Sequence, residues 1–195
     1  MASDLEETPS RKIRQLFPDA VYYKLTPAPE HPLFNYQGFE PGHTILPKGH
    51  VRAEGYREFP QDVFFERDMA IRVRDGVKLY ADLFRPLTSD KHPVPVIIPW
   101  SPYGKTGTGP QNYDFMAPFR AGIPKDKTSG YEKFEAPDPA EWCQRGYAVL
   151  NIDARGSGNS EGDLAHWGLQ EAEDIYDVIE YISGQSWCNG SVCMA

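Results

Sequence analysis

Two alternating runs of hydrophobic and polar residues stand in the middle of the chain. Residues 63–73 become alternating towards their end, and residues 77–84 alternate throughout, as half-buried strands do. Asp75 and Gly76 lie between the runs and predict a two-residue hairpin turn. Arg85 and Pro86 end the second run. The pattern therefore predicts an antiparallel hairpin.

Shorter, continuously apolar runs follow at residues 94–98 and 147–152. Such runs are typical of strands that are buried on both faces of a sheet. Pro95 cannot donate a ladder hydrogen bond, so the first of these strands is expected to begin there. Residues 191–195 have the pattern of a further strand that is only beginning.

Two helices are predicted between these strands. Asp138 has the character of an N-cap with Pro139 at the first helical position, and Gly146 closes this helix after Arg145. Residues 169–183 carry apolar side chains at helical spacing with acidic residues among them. A hairpin followed by alternating strands and helices predicts an α/β fold, antiparallel at one edge and parallel inside.

The chain divides into two parts by its composition. Residues 1–61 are rich in proline, glycine and aromatic residues and predict an extended arm that packs on the rest of the protein. Residues 62–195 carry the α/β pattern. Within them, residues 104–137 form a connection too long for an ordinary loop, which indicates a functional or disordered segment.

Charge and cysteine content narrow the possible partners and the compartment. The formal net charge of −8 repels phosphate backbones, so nucleic acid is not an expected partner. No basic amphipathic stretch indicates a membrane surface, and no apolar run has transmembrane length. The three cysteines, Cys143, Cys188 and Cys193, are interpreted as reduced thiols. We expect a cytoplasmic protein.

Two nucleotide-binding motifs are present only in part. Gly104-Lys105-Thr106 has the ending of a phosphate-binding loop, but Pro99 stands where the first glycine should be. Residues 156–162 resemble a dinucleotide fingerprint, but Glu161 stands where its third glycine should be. Pro102 removes a further backbone donor from the first motif, and a carboxylate in the second would face pyrophosphate, so both interpretations are rejected.

Residues 158–162 also fit the G-x-S-x-G pattern of a nucleophile elbow around Ser160. An elbow needs a helix directly behind its serine, and Gly162 and Gly168 delay the next helix to about Leu169. His166 follows too closely to fold back as the base. We therefore interpret this segment as a glycine-rich structural turn.

The loop Ser101-Pro102-Tyr103 directly follows a buried strand, where ligands bind in α/β sheets. Acyl transfer builds negative charge on a carbonyl oxygen, and a loop in this place often supplies one hydrogen-bond donor to it. The phenol of Tyr103 is a competent donor on a stiff turn. The alternative is a packed aromatic ring whose hydroxyl faces water, and the residues alone favour it.

Four segments together resemble the CocE/NonD hydrolases, the α/β-hydrolase family that includes cocaine esterases and X-Pro dipeptidyl-peptidases. They occur in the family's order and cover about residues 62–195. They are the hairpin residues 74–86, the loop 101–105, the glycine-rich block 146–162, and the helix that ends at residues 185–190.

The resemblance implies an α/β-hydrolase fold, a Ser-His-Asp triad, and no metal or organic cofactor. It implies that Tyr103 is an oxyanion-hole donor. It assigns Asp153, Arg155, Gly156 and Gly158 to a structural turn, with a direct role of the charged pair in the site as the alternative.

The family's nucleophile, acid and base come after the segment at residues 185–190, beyond residue 195. The resemblance therefore implies the N-terminal half of the sheet of a serine hydrolase that acts on small esters, amides or X-Pro peptides. The 195-residue chain itself is expected to be inactive. The alternative is a non-catalytic fragment or interaction remnant, and the sequence does not indicate the oligomeric state.

Overall fold

The computed structural model describes residues 38–106, 113–164 and 167–195. The strands within these ranges are β1 (Gly42–Leu46), β2 (Val63–Arg72), β3 (Lys78–Pro86), β4 (Val94–Ile98), β5 (Trp100–Ser101), β6 (Ala148–Asp153) and β7 (Cys188–Met194). The α-helices are α1 (Pro139–Gln144) and α2 (Leu169–Ser183). Short 3-10 turns cover Leu87–Asp90, Tyr113–Phe115, Phe119–Gly122 and Lys125–Lys127.

The strands form one mixed sheet in the order β1-β2-β3-β6-β4-β7, and β5 pairs with the end of β6. The pairs β1/β2, β2/β3 and β3/β6 are antiparallel. The pairs β4/β6, β4/β7 and β5/β6 are parallel. The predicted α/β class, with an antiparallel hairpin on one side of parallel strands, is confirmed.

The hairpin between β2 and β3 turns differently from the prediction. Val73 and Val77 are joined by a backbone hydrogen bond, and the Gly76 amide donates to the Val73 carbonyl at 2.9 Å. The loop therefore has three residues rather than two. Gly76 has a φ of 90°, so it supplies the left-handed residue that follows a type I turn in such loops.

The strand β1 was not predicted from the sequence. It lies within the segment interpreted as an arm and pairs with β2 along its whole length. Pro41 and Pro47 flank it closely, so its five residues leave little room for an alternating pattern. Leu46 and Phe59 from the same segment are buried, so residues 42–59 contribute to the core.

The two helices cover opposite faces of the sheet. Val178 and Ile182 of α2 pack with strand residues that include Leu79, Leu150 and Ile98 in one apolar cluster. Ala140 and Cys143 of α1 belong to a second cluster on the other face, with Leu46, Phe59, Val63 and Phe84. We call these the α2 face and the α1 face.

Both helices begin as the sequence indicated. The Asp138 carboxylate accepts from the amides of Ala140 and Glu141, and Pro139 follows it as the first helical residue. The predicted span of α2 agrees with the structure at both ends. No helix in the three described ranges combines the length and the apolar character needed to cross a bilayer.

A β-bulge in β2 moves the strand's apolar side chains from one face to the other. The register passes from Glu66 opposite Leu83 to Met69 opposite Ala81, so two residues of β2 face Asp82 alone. Val63 lies in the α1-face cluster before the bulge, and Ile71 lies in the α2-face cluster after it. One extra residue shifts side-chain parity in a strand, which explains this change.

Candidate active site

A cavity of about 590 Å³ lies at the carboxyl ends of β4 and β7. The chain leaves β4 through α1 to reach β6 on one side, and then passes through α2 to reach β7 on the other side. The connections diverge at β4, and ligands of open α/β sheets bind at such a point. The cavity is lined by Pro99, Trp100, Ser101, Pro102, Tyr103, Phe134, Glu135, Trp167, Glu171, Ile175, Met194 and Ala195.

Tyr103 lies on the cavity wall, on the turn that directly follows β5. Its ring packs edge-to-face against the Phe134 ring, with 5.4 Å between the two ring centroids. In the part of the chain that the structure describes, no hydrogen bond involves the Tyr103 hydroxyl. Because packing fixes the ring and no described group bonds to its hydroxyl, that hydroxyl can donate a hydrogen bond to a ligand in the cavity.

The opposite wall is organised by Glu171 in the first turn of α2. Its carboxylate accepts from the Trp100 indole N–H at 3.0 Å and from the Trp167 backbone amide at 2.6 Å. The Trp167 side chain is 89% exposed. The lining therefore includes aromatic rings and two carboxylates, Glu135 and Glu171, of which Glu171 ties α2 to β5.

A buried ammonium lies behind the Tyr103 turn. Lys133 is 1% exposed, and its Nζ donates to the carbonyls of Pro99 at 3.2 Å, Ser101 at 3.0 Å, and Ile152. Burial lowers the pKa of Lys133 to about 8, against the opposing effect of the Asp153 carboxylate. This single side chain joins β5 to β6 and reaches the residue before Pro102.

A second buried lysine lies on the other side of Tyr103. The Lys105 Nζ is 2.5 Å from Asp68 Oδ1 and 3.3 Å from Asp82 Oδ1. Asp68 is the left-handed residue of the β2 bulge, and its amide donates to Asp82 at 2.9 Å. Burial alone lowers the pKa of Lys105, but the carboxylates of Asp82, Asp153 and Asp68 outweigh it and raise that pKa.

Asp153 and Asn151 complete this group on β6. Burial raises the pKa of the Asp153 carboxyl to about 6, although Lys105 and Lys133 lower it. Its Oδ2 accepts from the Asn159 amide, while Oδ1 has no hydrogen-bond partner within the described residues. We call Asp68, Asp82, Lys105, Lys133, Asn151 and Asp153 the polar layer.

The glycine-rich segment after β6 is a tight turn around Asp153. A Cβ on Gly158 would lie 2.2 Å from Asp153 Oδ2, and one on Gly156 would lie 2.3 Å from the Leu164 amide nitrogen. Both glycines have positive φ angles, of 52° and 72°. Glycine is therefore required at these two positions for steric reasons as well as conformational ones.

Arg155 ties this turn to two other elements. Its guanidinium binds Asp174 of α2 through two hydrogen bonds of 2.7 Å, and it lies 2.9 Å from Asp75 of the hairpin turn. The hydrogen bonds to Asp174 raise the pKa of Arg155 most, and those to Asp75 add to the effect. Asp153 and Arg155 thus contact different partners, and both bind groups of the turn and of the elements around it.

Ser160 is engaged by the backbone on both sides of its hydroxyl. Its Oγ donates to the Asp153 carbonyl at 2.7 Å and accepts from the Tyr80 amide at 2.9 Å. A nucleophilic serine needs a base at its hydroxyl, and this hydroxyl is occupied by main-chain groups. His166, the only base considered for it, lies outside the described residues.

The Gly104-Lys105-Thr106 segment does not form a phosphate cradle. The Lys105 ammonium, which would meet phosphate, is buried against Asp68 and Asp82 instead. Two carboxylates at that position repel an anion. Among the residues with described placement, no three metal-ligating side chains are grouped so that they could hold an ion.

The polar layer could not be read from the sequence. Lys78, Tyr80 and Asp82 occupy the polar positions of an alternating strand, and such positions ordinarily face water. Asp82 is nevertheless buried, because the loop at residues 128–134 lies across this face and bonds to β6 through the Tyr131 carbonyl and Asn151. Lys133 lies in a segment without hydrophobic periodicity, so nothing in the sequence predicts that its side chain is buried.

A family model matches most of this chain. The model of the X-Pro dipeptidyl-peptidase family (S15 family) covers residues 75–195. A solved structure of a CocE/NonD family hydrolase from Staphylococcus aureus superposes with a TM-score of 0.59 at 30% identity, covering 88% of this chain and 27% of that one. The predicted resemblance and the α/β-hydrolase fold are confirmed.

Two curated relatives carry different names. A cocaine esterase from Rhodococcus sp. (strain MB1 Bresler) is 32% identical over 127 residues, which is 65% of this chain and 18% of that protein. An L-tyrosine:2-oxoglutarate aminotransferase from Aspergillus ustus is 49% identical over 72 residues, 37% of this chain and 13% of that protein. The chain thus spans less than a fifth of the length of either relative.

Proposed function

Because the chain belongs to the X-Pro dipeptidyl-peptidase (S15) family, we propose that it forms the N-terminal part of a longer serine hydrolase. That hydrolase cleaves small esters or amides, X-Pro peptide bonds included. The esterase name of one relative and the hydrolase name of the superposed structure support this class of reaction. The negative net charge argues against nucleic acid as a substrate.

The proposed reaction passes through an acyl-enzyme. A serine oxygen beyond residue 195 attacks the substrate carbonyl, a histidine takes the serine proton, and the carbonyl electron pair moves to its oxygen. The intermediate collapses, and the protonated alcohol or amine leaves. Water then releases the acid by the same steps. The negative oxygen forms twice, so a donor fixed beside it accelerates both halves of the reaction.

Tyr103 is the residue of this chain that we assign to that donor. One observation carries the assignment: its hydroxyl has no described partner and its ring is held on the wall of the cavity at the carboxyl end of β4. Met194 and Ala195 line the same cavity. Residues that follow β7 in the longer protein therefore start beside Tyr103, where the family's nucleophile is expected.

The assignment predicts the kinetics of Tyr103→Phe in the longer hydrolase. Loss of one oxyanion donor lowers kcat about 100-fold to 1,000-fold, because the transition state loses a bond that the bound substrate does not need. KM and the midpoint of thermal unfolding should stay close to wild type. The assay uses a p-nitrophenyl ester and, in parallel, an X-Pro p-nitroanilide, whose relative rates identify the preferred bond.

Tyr113→Phe is the matched control. Tyr113 also packs against Phe134, with 5.9 Å between ring centroids, but it does not line the cavity. Removal of the Tyr113 hydroxyl should therefore leave kcat near the wild-type value. Equal rates for Tyr103→Phe and wild type would show instead that Tyr103 is a packed aromatic residue.

A second proposal concerns the 195-residue chain produced by itself, which we propose is not a hydrolase. Ser160, its one serine in a G-x-S-x-G pattern, bonds to the backbone. In the described sheet β7 is an edge strand, so the purified chain should also tend to aggregate. Hydrolysis of a p-nitrophenyl ester by this chain, abolished by Ser160→Ala, would overturn the proposal.

We further propose a cytoplasmic location. Cys143, Cys188 and Cys193 are all free thiols, and Cys193 is exposed. Free thiols are usual where glutathione keeps cysteines reduced. Fractionation of cells that express the tagged protein tests this, and recovery in the medium would contradict it.

A further inference from the structure

We propose that Lys133 and Phe134 act together as the positioning element for Tyr103. This inference rests on the proposed function of Tyr103 as an oxyanion donor. The two residues are adjacent in the chain, and each contacts a different part of the Tyr103 turn. Lys133 holds the backbone before Tyr103, and Phe134 holds its ring.

The Lys133 contacts are matched to the chemistry of an ammonium group. A lysine Nζ carries three protons and accepts none. Its three acceptors here are the carbonyls of Pro99, Ser101 and Ile152, so every proton has a partner. Pro99 and Ser101 lie on either side of Trp100 in β5, and Ile152 lies opposite Trp100 in the register of β5 and β6.

These bonds substitute for backbone donors that the turn lacks. Pro99 and Pro102 have no amide proton, and the Tyr103 amide reaches the Ser101 hydroxyl only at 3.5 Å. The β5 strand has two residues and would be weakly held by its own ladder. The Lys133 ammonium therefore adds two hydrogen bonds at the start of the turn, to the carbonyls of Pro99 and Ser101.

The Phe134 contact fixes what the backbone contacts leave free. A tyrosine ring can still rotate about its side-chain bonds when its backbone is held. The edge-to-face contact with Phe134, at an interplanar angle of 73°, limits that rotation. Phe134 lines the cavity beside Tyr103, so the contact acts directly at the site.

The alternative is that Lys133 only stabilises the fold. Lys105 and Arg85 are other buried cations in this chain, and Arg85 binds Ser89 and Asp90, none of which lines the cavity. A purely structural cation would affect the amount of folded protein without acting through Tyr103. A positioning residue would lose its kinetic effect once the Tyr103 hydroxyl is removed.

The test is a double-mutant cycle in the longer hydrolase, with Lys133→Met and Tyr103→Phe. Methionine keeps much of the length of the side chain and removes all its donors. We expect Lys133→Met to lower kcat about 10-fold to 100-fold, because a displacement of about 1 Å can cost 100-fold, with KM nearly unchanged. The double variant should be no slower than Tyr103→Phe alone.

Two further variants keep the proposal testable. Phe134→Leu removes the ring contact and leaves the Lys133 ammonium in place, so it replaces Lys133→Met in the cycle if that variant fails to fold. Phe134→Leu should lower kcat in the protein that has Tyr103 and should not lower it further in Tyr103→Phe. Arg85→Met is the matched control, since it removes a buried cation elsewhere. It should lower the unfolding midpoint while kcat per folded molecule stays at the wild-type value.

The outcomes separate this inference from the proposed function. Effects of Lys133→Met and Tyr103→Phe that multiply in the double variant would overturn the positioning role while leaving Tyr103 as the donor. If Tyr103→Phe has full activity, the proposed function fails first. A crystal structure of Lys133→Met, or of Phe134→Leu, then decides: a displaced Tyr103 turn supports the positioning role, and an unmoved turn overturns it.

Discussion

The two faces of the sheet are built from different kinds of side chain. On the α2 face, Val178 and Ile182 pack against a cluster of mostly aliphatic strand residues. On the α1 face, β3 and β6 instead carry Asp82, Asn151 and Asp153, and the lysines of the polar layer come from loops. Both faces are buried, and on the second the strand side chains of the polar layer are held by directed bonds.

This difference separates stability from geometry. Aliphatic contacts are nearly non-directional, so the apolar cluster of the α2 face stabilises the sheet without itself specifying one loop conformation. Hydrogen bonds and ion pairs require particular distances and angles, so the polar layer fixes the chain at Ser101, Lys105 and Lys133. The Tyr103 turn lies between the two lysines of that layer.

The largest effect is expected from breaking the polar layer at Lys105. Lys105→Met removes the ammonium that neutralises the buried carboxylates of Asp68 and Asp82, and it leaves Asp68 with the Arg67 guanidinium at 3.4 Å. Removing one partner of a buried ion pair typically costs about 3–5 kcal/mol, because the remaining charge stays desolvated. Denaturant unfolding of the purified protein measures this loss.

Asp68→Asn combined with Lys105→Met is the accompanying control. The double variant also removes one of the two carboxylate charges that lost the ammonium, so it should be more stable than Lys105→Met alone. If Lys105→Met has wild-type stability, the polar layer is not a buried ionic network in solution.

A loss of similar or slightly smaller size is expected on the apolar face. Ile182→Ala removes a fully buried side chain from α2 and should cost about 2–5 kcal/mol through lost burial and the cavity left behind. The contrast lies in the kinetics. Activity per folded molecule should be unchanged here, whereas Lys105→Met should lower kcat as well. If kcat per folded molecule falls for Ile182→Ala at saturating substrate, the two faces do not differ in their effect on activity.

The smallest expected effect is a pH dependence that belongs to the α1 face. Burial raises the pKa of Glu132 to about 6, with a further contribution from the Asp138 carboxylate, while its bonds to backbone amides lower it. The folded protein therefore holds a proton that the unfolded chain releases between the ordinary pKa of 4.5 and about 6. Stability from this group is present at low pH and is lost as pH rises through that window.

Glu132→Gln tests this sign. The variant keeps an acceptor for the Gly130 amide, 2.7 Å from the wild-type carboxylate, but cannot ionise. Its unfolding free energy should lack roughly 2 kcal/mol of the decline that wild type shows between pH 4 and 7. Thermal melts at several pH values measure the difference, and parallel curves for the two proteins would contradict it.

The sequence predicted well those elements whose period is simple. The α2 helix and the hairpin strands follow from regular spacing of apolar residues, and α1 follows from the Asp138 cap and Pro139. The hairpin loop was predicted one residue short, because Asp75-Gly76 is compatible with both a two-residue turn and a type I turn closed by a left-handed glycine.

The candidate site was predictable only where a residue closely follows, along the chain, the strand that positions it. Tyr103 directly follows β5, so its place at the cavity could be expected from the sequence. Lys133 reaches the same turn from a position 30 residues later, through a loop without periodicity. Spacing along the chain carries no information about such a contact, and the burial of Asp82 runs against its alternation pattern.

The bulge in β2 sets a rule for how this strand could be altered. Asp68 occupies the extra position, and the strand's inward-facing residues change sides across it. Deleting one residue there would return Val63 and Phe65 to the side of the sheet that α2 covers and detach them from Phe84, whereas deleting two residues of the strand would preserve their orientation. This strand can thus be lengthened or shortened in even steps without moving these side chains to the other face, whereas removal of Asp68 also removes an anchor of Lys105.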